Sequence, residues 1–501
     1  MPQGHIRKGF FFYFGLFVLL LIAIFMICLV VMMFNPGKSV LWMQYFTSSD
    51  SQRISKTTDA MQELDLNNVT DIEINCSYAS VIVEKNNEYT LDGLYIVNNA
   101  KGFAVSSNAT PFDYQVYYEG STLKVDVTEP TGFMYLSKDI KIILHAAENS
   151  SLDFSNLNLT VNTTSGDIDI GGTEAKAAKE IKLNSLNAST SSAYIIFTEM
   201  FDSSTLTALN LDAESGKMYS TNDVSVGNQT FKGLVANCDT SLTTNNGSIA
   251  FDVINVGNKK LSITCKKGNV ATDYIYAQTV EVSCVQGNYK FGSVYGNLDY
   301  TNSEDSILAP NIIADYISGN FTISGRDGFK GSAEPDVEIN KIDGGISALV
   351  DKGSVIVGEA NGAIGVMSEN NLKVDITVGE NNNATKRIVN ANGDVTLGFL
   401  GIVGNTVNVE TDKGDIVINI TSVANFTSTA WLNDLEGTTK LSDDKISVSH
   451  GLIEGETKNP LNVRGTSSVS GTMTIKTNAS VSYNLVLKDS LASHNLETVV
   501  E

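Results

Sequence analysis

The spacing of apolar and polar positions changes character three times along the chain. From Phe10 to Phe34 stand 25 residues without a charge. At ~1.5 Å per residue they make a helix of ~37 Å, long enough to cross a bilayer core of ~30 Å with some tilt. A cleaved signal peptide would have a shorter apolar run and a small-residue cleavage site, and none follows Phe34. Residues 35–65 lose this character, passing from Trp42-Met43-Gln44-Tyr45-Phe46 to the polar run Ser48 to Arg53, and read as a juxtamembrane stalk. From about Leu66 the period becomes two: Ile72 and Ile74, Val81 and Val83, Leu123, Val125 and Val127, then Ile140, Ile142 and Leu144 alternate with other residues as half-buried strands do.

Within the period-two region a unit repeats. Ile263-Thr264-Cys265-Lys266-Lys267-Gly268-Asn269 returns nineteen residues later as Val282-Ser283-Cys284-Val285-Gln286-Gly287-Asn288. Related turns centre on Gly166, Gly216, Gly247, Gly319, Gly353, Gly393 and Gly414, and half-steps of nine, such as Gly287 to Gly296, imply a second glycine turn within one coil. Each turn glycine is expected to supply a positive φ. A unit of about 20 residues cannot bury its own apolar face and must stack on copies of itself. The expected fold is therefore all-β: an elongated parallel β-solenoid with ~20-residue coils, about a dozen of them, preceded by one transmembrane helix. The expected division is a tail at 1–9, the helix at 10–34, the stalk at 35–65, the solenoid at 66–420, and an irregular end with a cap at 421–501.

Several features resemble a family of membrane-anchored proteins described as adhesins, built on a β-solenoid-like domain. They are the lead-in strands, Gly120-Ser121-Thr122-Leu123-Lys124-Val125, Ile140 to Leu144, the Ser165-Gly166-Asp167-Ile168 turn and the recurring Gly-Asp and Gly-Asn turns. The resemblance implies attachment at a cell surface and carries no catalytic residues.

Charge narrows the partners. The chain carries 34 basic and 56 acidic residues, a net −22, so polyanions are repelled and nucleic acid is not expected as a partner. Arg7 and Lys8 precede the apolar run and only Lys38 closely follows it, which puts the N-terminus in the cytoplasm and the C-terminal domain outside or in a lumen. Cys265 and Cys284 occupy one repeat position and would stack, either as two buried thiols or as a disulfide.

The candidate chemistry is sparse. The carboxylates Asp167 with Asp169, Asp412 with Asp415, and Glu304 with Asp305 recur at turns, with Arg326, Asp327, Lys266 and Lys267 as the charged company a polysaccharide-active β-helix would need. Aspartate and asparagine also serve simply as turn residues, so no catalytic residue, cofactor or structural metal is assigned, and the turn acids offer at most weak calcium binding. His5, His145, His450 and His494 are isolated in sequence. Asn-x-Ser/Thr sequons occur at Asn68, Asn75, Asn108, Asn149, Asn158, Asn162, Asn187, Asn228, Asn246, Asn320, Asn383, Asn419, Asn425 and Asn478. Composition alone predicts about nine, and each is a candidate glycosylation site in a eukaryotic secretory compartment.

The function these features favour is a single-pass surface protein holding an acidic, glycosylated solenoid for adhesion or as a spacer, with the membrane and a surface protein or glycan as partners. It is not expected to be an enzyme. The alternatives are a carbohydrate-active β-helix enzyme and an envelope sensor or accessory protein signalling through its helix.

Overall fold

The computed structural model describes residues 9–33, 50–59, 62–104, 110–171, 180–198, 201–302, 311–324, 336–350, 352–401, 404–420, 425–431, 442, 446–450, 461–464, 470–485 and 497–500. Apart from one α-helix, α1 (Phe10–Met33), and three single 3₁₀ turns, its regular structure is strand. α1 has 24 residues and no acidic or basic side chain. Its side chains are described from Tyr13 to Ile27, and every one is exposed. That stretch alone would span about 22 Å. Among the described residues no helix is long and apolar enough to cross a membrane.

The strands form parallel ladders in which each strand bonds to its counterpart one coil away. In the first ladder, Leu159 pairs with Leu186, Leu186 with Leu209, Leu209 with Thr240 and Thr240 with Leu261. The same column continues through Val280, Leu298, Phe321, Ile346, Ile364, Lys386 and Val407 to Met473. All these side chains point inward and are buried. Each fully buried Leu, Ile or Val contributes about 1.5–3 kcal/mol, so the alternation seen in the sequence is the main source of stability. A second ladder runs through Ile168, Ile195, Met218, Ile249, Val270 and Tyr289. A short third run carries Ile254, Ile275, Val294, Ile317 and Ile342 inward. From Leu123 to Met473 the first ladder extends about 70 Å at ~4.8 Å per strand, somewhat longer than a dozen coils would give.

The turn glycines are confined by space and not, in most cases, by dihedral angle. Gly166, Gly216, Gly247, Gly268, Gly393 and Gly414 lie outside the positive-φ set, which includes Gly287 and Gly353. A Cβ on Gly247 would stand 2.0 Å from the Gly216 carbonyl oxygen, and one on Gly268 would stand 1.9 Å from that of Gly247. Successive turns thus press backbone on backbone, and a hydrogen atom is the only substituent that fits. The expectation of positive φ throughout is corrected accordingly. The glycines also sort into two corners. Gly296, Gly319, Gly344 and Gly362 stack on one another at a corner separate from the Gly247–Gly268–Gly287 column, which is the second glycine turn that the half-steps implied.

Both ends of the stack depart from chain order. At the N-terminal end Thr122–Thr128 lies outside Asp71–Asn75, although it follows it in sequence, and Asp113–Glu119 covers it antiparallel. Ile140–Ala147 likewise lies outside Ser80–Asn86 and is covered antiparallel by Gly93–Asn98, which in turn pairs with Asp50–Ile54. The segment read as stalk therefore joins the fold from Asp50 onward, because buried Ile54 anchors it. At the C-terminal end Ser470–Lys476 inserts between Thr406–Thr411 and Asn425–Trp431, and Leu461–Arg464 covers the latter antiparallel. Residues 421–501, read as irregular, thus contribute further parallel strands. Antiparallel cover at both ends shields edges that would otherwise pair with other chains.

Candidate functional site

The acidic turn residues singled out in the sequence are committed to the scaffold. Asp167 accepts the Tyr194 amide at 3.0 Å, Asp394 that of Asp415 at 2.9 Å, and Asp415 that of Ser480 at 3.0 Å. Each carboxylate caps the next coil's turn. Asp412 accepts Asn478 Nδ2 at 2.6 Å, and Asp169 is buried. Lys266 and Lys267 are exposed, on the turn four coils beyond Asp167, about 19 Å along the stack. The candidate acids and these lysines are therefore not brought together. Glu304, Asp305, Arg326 and Asp327 lie outside the described residues, as do His5 and His494. No group of three or more His, Cys, Asp or Glu side chains suited to a metal occurs among the described residues.

The repeat-position ladder is internal. Thr163, Thr244 and Thr411 accept the amides of Gly166, Gly247 and Gly414 through Oγ1 at 2.9, 2.8 and 3.1 Å. Cys265 pairs in register with Thr244 and with Cys284. Both cysteines are buried free thiols. Burial pushes the Cys284 thiol up to about 12 and raises Cys265 as well, so neither is a nucleophile at neutral pH.

The sequons divide by what holds their amides. Asn68, Asn75, Asn158, Asn162 and Asn478 each donate Nδ2 to a neighbouring Asp, Glu or Asn oxygen. Asn187 and Asn419 accept from Asn210 and Asn484 at 2.7 and 2.9 Å, and Asn320 accepts the Gly345 amide at 2.7 Å. Asn149, Asn228, Asn246 and Asn383 are exposed. Asn108 and the side chain of Asn425 lie outside the described residues. In strands such as Asn158-Leu159-Thr160 a sequon is simply two outward polar residues flanking an inward apolar one, so period-two patterning by itself raises their number.

Among the described residues, two of the places where outward side chains converge stand out. The first is a cleft of about 500 Å³ at the N-terminal end, between residues 87–92 and 147–151. Asp92 ties its walls together, accepting the Ala147 amide at 2.7 Å and the Ser150 hydroxyl. Beneath it fully buried His145 places Nδ1 3.0 Å from Glu84 Oε1 and Nε2 3.1 Å from the Tyr89 carbonyl, with Tyr89 stacked on Tyr95 at 4.0 Å. His145, isolated in sequence, is here a core strut.

The second is a cluster of tyrosines on the short third run. Tyr276 pairs with Tyr295, their rings parallel within 3° and 4.7 Å apart. Tyr316, whose register partner is Ser293 and not Tyr295, meets Tyr295 edge-on at 5.8 Å from the neighbouring outward column, and Tyr295 is 40% exposed. Phe231, on the hairpin Asp223–Val226 and Gln229–Val235, packs on Tyr274 at 5.0 Å. Beyond the rings stands a polar network. Tyr316 donates to Asp343 at 2.5 Å, Asn361 Nδ2 bridges Asp343 and Glu359 at 3.1 and 3.0 Å, and Lys341 binds Glu359 at 3.0 Å. The Asp343 bond holds the Tyr316 phenol up at about 12, while the Tyr316 hydroxyl holds Asp343 below the usual carboxylate range. Sequence reasoning missed this cluster, although Tyr276 and Tyr295 stand one coil length apart; Tyr316 falls two positions out of their register.

No protein-family model matches the chain, and no curated protein matches it. Among solved structures it is similar to a protein described as an adhesin from Bacteroides fragilis, at 12% identity and TM-score 0.21, covering 60% of this chain and 95% of that one. A protein described as a cell adhesion protein from Clostridium sporogenes aligns at 9% identity and TM-score 0.13, over 88% and 98%. One described as lipid binding from Parabacteroides distasonis aligns at 8% and 0.15, over 87% and 96%. At these scores the likeness carries no argument about function.

Proposed function

We propose that the chain is a single-pass surface protein in which α1 crosses the membrane and the stack is a β-solenoid displayed outside for adhesion. One observation carries this reading. α1 is an apolar helix with every described side chain exposed, on a chain whose other end is a stack with its own buried core. Exposed apolar surface of that extent needs a covering medium, and with its flanks α1 is long enough for a bilayer to be that medium. The outward faces, laddered with Asn, Thr, Ser and Tyr, offer an extended regular surface of the kind repeat stacks use for binding.

Alkaline washing of membranes tests the anchor. The full-length chain is expected to stay in the pellet and a chain lacking residues 1–34 to be released. Release of both would overturn the proposal. The cytoplasmic placement of the N-terminus and the use of exposed sequons such as Asn228 are parts of the same proposal.

A further inference from the structure

We propose that Tyr295 and Tyr316 form a site of oxidative modification, at which hydrogen peroxide and a haem peroxidase join their rings into a dityrosine that staples two neighbouring coils. The inference goes beyond the display reading and does not depend on it. Register selects the pair. Tyr276 and Tyr295 face each other one strand apart, at ~4.8 Å. A biaryl bond between carbons ortho to two phenol oxygens holds its two Cβ atoms farther apart than one strand step, so this stacked pair is too close to be joined. Tyr316 pairs with Ser293, two residues before Tyr295. Its Cα is thus displaced from that of Tyr295 by one strand step and by two residues along the strand, about 8 Å diagonally, which suits the biaryl span. The two rings already meet edge-on, 5.8 Å apart and inclined at 64°, and a biaryl crowded by ortho hydroxyls is itself twisted.

The second argument is the fate of the proton. Loss of an electron makes a phenol O–H strongly acidic, and a carboxylate already bonded to it takes the proton as the electron leaves. Tyr316 donates to Asp343 Oδ2 at 2.5 Å, and Asp343 is exposed and can pass the proton to water. Tyr295, 40% exposed, presents its ring to the oxidant. Its stacking on Tyr276, parallel within 3° at 4.7 Å, spreads the electron deficiency over two rings. The pair Tyr194 and Tyr219 supplies a contrast. It has the same diagonal register and meets edge-on at 6.1 Å. There Lys217 Nζ stands 5.0 Å over the Tyr219 ring, and a cation so placed opposes loss of an electron.

The chemistry balances with peroxide as the oxidant. Two one-electron oxidations leave a radical on each ring and release two protons, one of them through Asp343. Joining the ortho carbons forms one C–C bond. Each ring then sheds the hydrogen at that carbon as a proton and regains a proton at its oxygen. The protein loses two hydrogen atoms in total, and they reduce hydrogen peroxide to two waters.

The test treats the full-length chain in nanodiscs with hydrogen peroxide and a haem peroxidase. Cleavage before aspartate and after lysine and arginine then isolates Tyr295 in 291–298 and Tyr316 in 315–326, with one tyrosine in each. These two peptides are expected to be linked and two hydrogen masses lighter than their sum, with dityrosine fluorescence appearing at a rate per molecule that dilution of the chain does not change. Tyr295→Phe and Tyr316→Phe, which keep the ring packing, should abolish the link. Asp343→Asn, which cannot take the proton, should slow it several-fold, and a Tyr194–Tyr219 link should lag behind it. The pairing is read from the parent chain, so a variant that melts early does not stall the test. The proposal is overturned if 291–298 and 315–326 stay unlinked, if they link only between molecules, if 273–290 takes the place of 315–326, if the Tyr194–Tyr219 link forms first, or if folded Asp343→Asn reacts as fast as the parent. The assay does not depend on cellular location, so its failure would leave the display reading intact, and failure of the alkaline-wash test would leave this one intact.

Discussion

The turn at Thr244–Gly247 and the turn at Ser77–Ala79 occupy the same corner of the stack, one in its middle and one at its end. They satisfy their backbones in different ways. In the middle, each turn's amides bond to the coil before: Asn245 and Asn246 donate to the Glu214 carbonyl at 2.9 and 2.7 Å, and Lys266 and Lys267 donate in turn to Thr244 and Asn245. At the end no earlier turn lies beneath Ser77–Ala79. There the buried Glu129 carboxylate accepts the amides of Ser77, Tyr78 and Ala79 at 2.5, 2.7 and 3.1 Å. A coil in the middle is templated by its neighbour. A coil at the end needs one dedicated charge that imitates a neighbour's carbonyls.

Breaking each kind of turn sharpens the contrast. The largest effect is expected from Gly247→Ala, whose Cβ would meet two carbonyls and the Thr244 hydroxyl at 2.0–3.0 Å. Backbone cannot yield as a side chain can, so the loss should be about 4 kcal/mol by urea unfolding. A loss under 1 kcal/mol would show that the turns are looser than their packing. Glu129→Ala, which strands three amides around a buried acceptor site, should cost about 3 kcal/mol and expose residues 71–86 first to hydrogen exchange. Uniform exchange along the stack would contradict its role as an end cap.

Lys386 provides a smaller effect with a distinctive pH dependence. It fills an inward position between Ile364 and Val407 and donates Nζ to the Asn382 carbonyl at 2.7 Å. Burial pulls the ammonium from 10.5 down to about 8. Below pH 8 the lysine is protonated in both states, and the fold bears the full cost of burying it. Between 8 and 10.5 only the unfolded chain keeps the proton, so the parent gains stability as pH rises. Lys386→Met should therefore be more stable than the parent at pH 7 by about 1–3 kcal/mol, with the gap closing across that window. Taking the difference between the two proteins removes the contributions of Cys76 and Cys284, whose thiols burial holds up at about 12. A gap independent of pH would show that Lys386 does not release its proton there. Thr244→Val, which removes one bond to the Gly247 amide, should cost about 1 kcal/mol.

Much of the middle was legible in sequence because its rules are local. Alternation placed Ile263 and Val282 inward, and the nineteen-residue step put Cys265 over Cys284 and in line with Thr244. The turn glycines were legible as turns, but their cause was not. A positive φ and a neighbouring carbonyl about 2 Å from where a Cβ would stand leave the same letter in a sequence. The ends were not legible, because the placement of Thr122–Thr128 outside Asp71–Asn75 depends on pairing across some fifty residues, and Glu129 looks like any acid after a strand. The pair Tyr276 and Tyr295 carried a signal at the coil period, but it was masked by the apolar repeat that shares that period.

The account's central claim is that the stack is displayed outside the membrane that α1 spans, and protease added to intact cells tests it most directly. With an epitope on each terminus, the account predicts that the C-terminal epitope is lost while the N-terminal one survives. Survival of the C-terminal epitope on intact cells, with loss only after lysis, would contradict it.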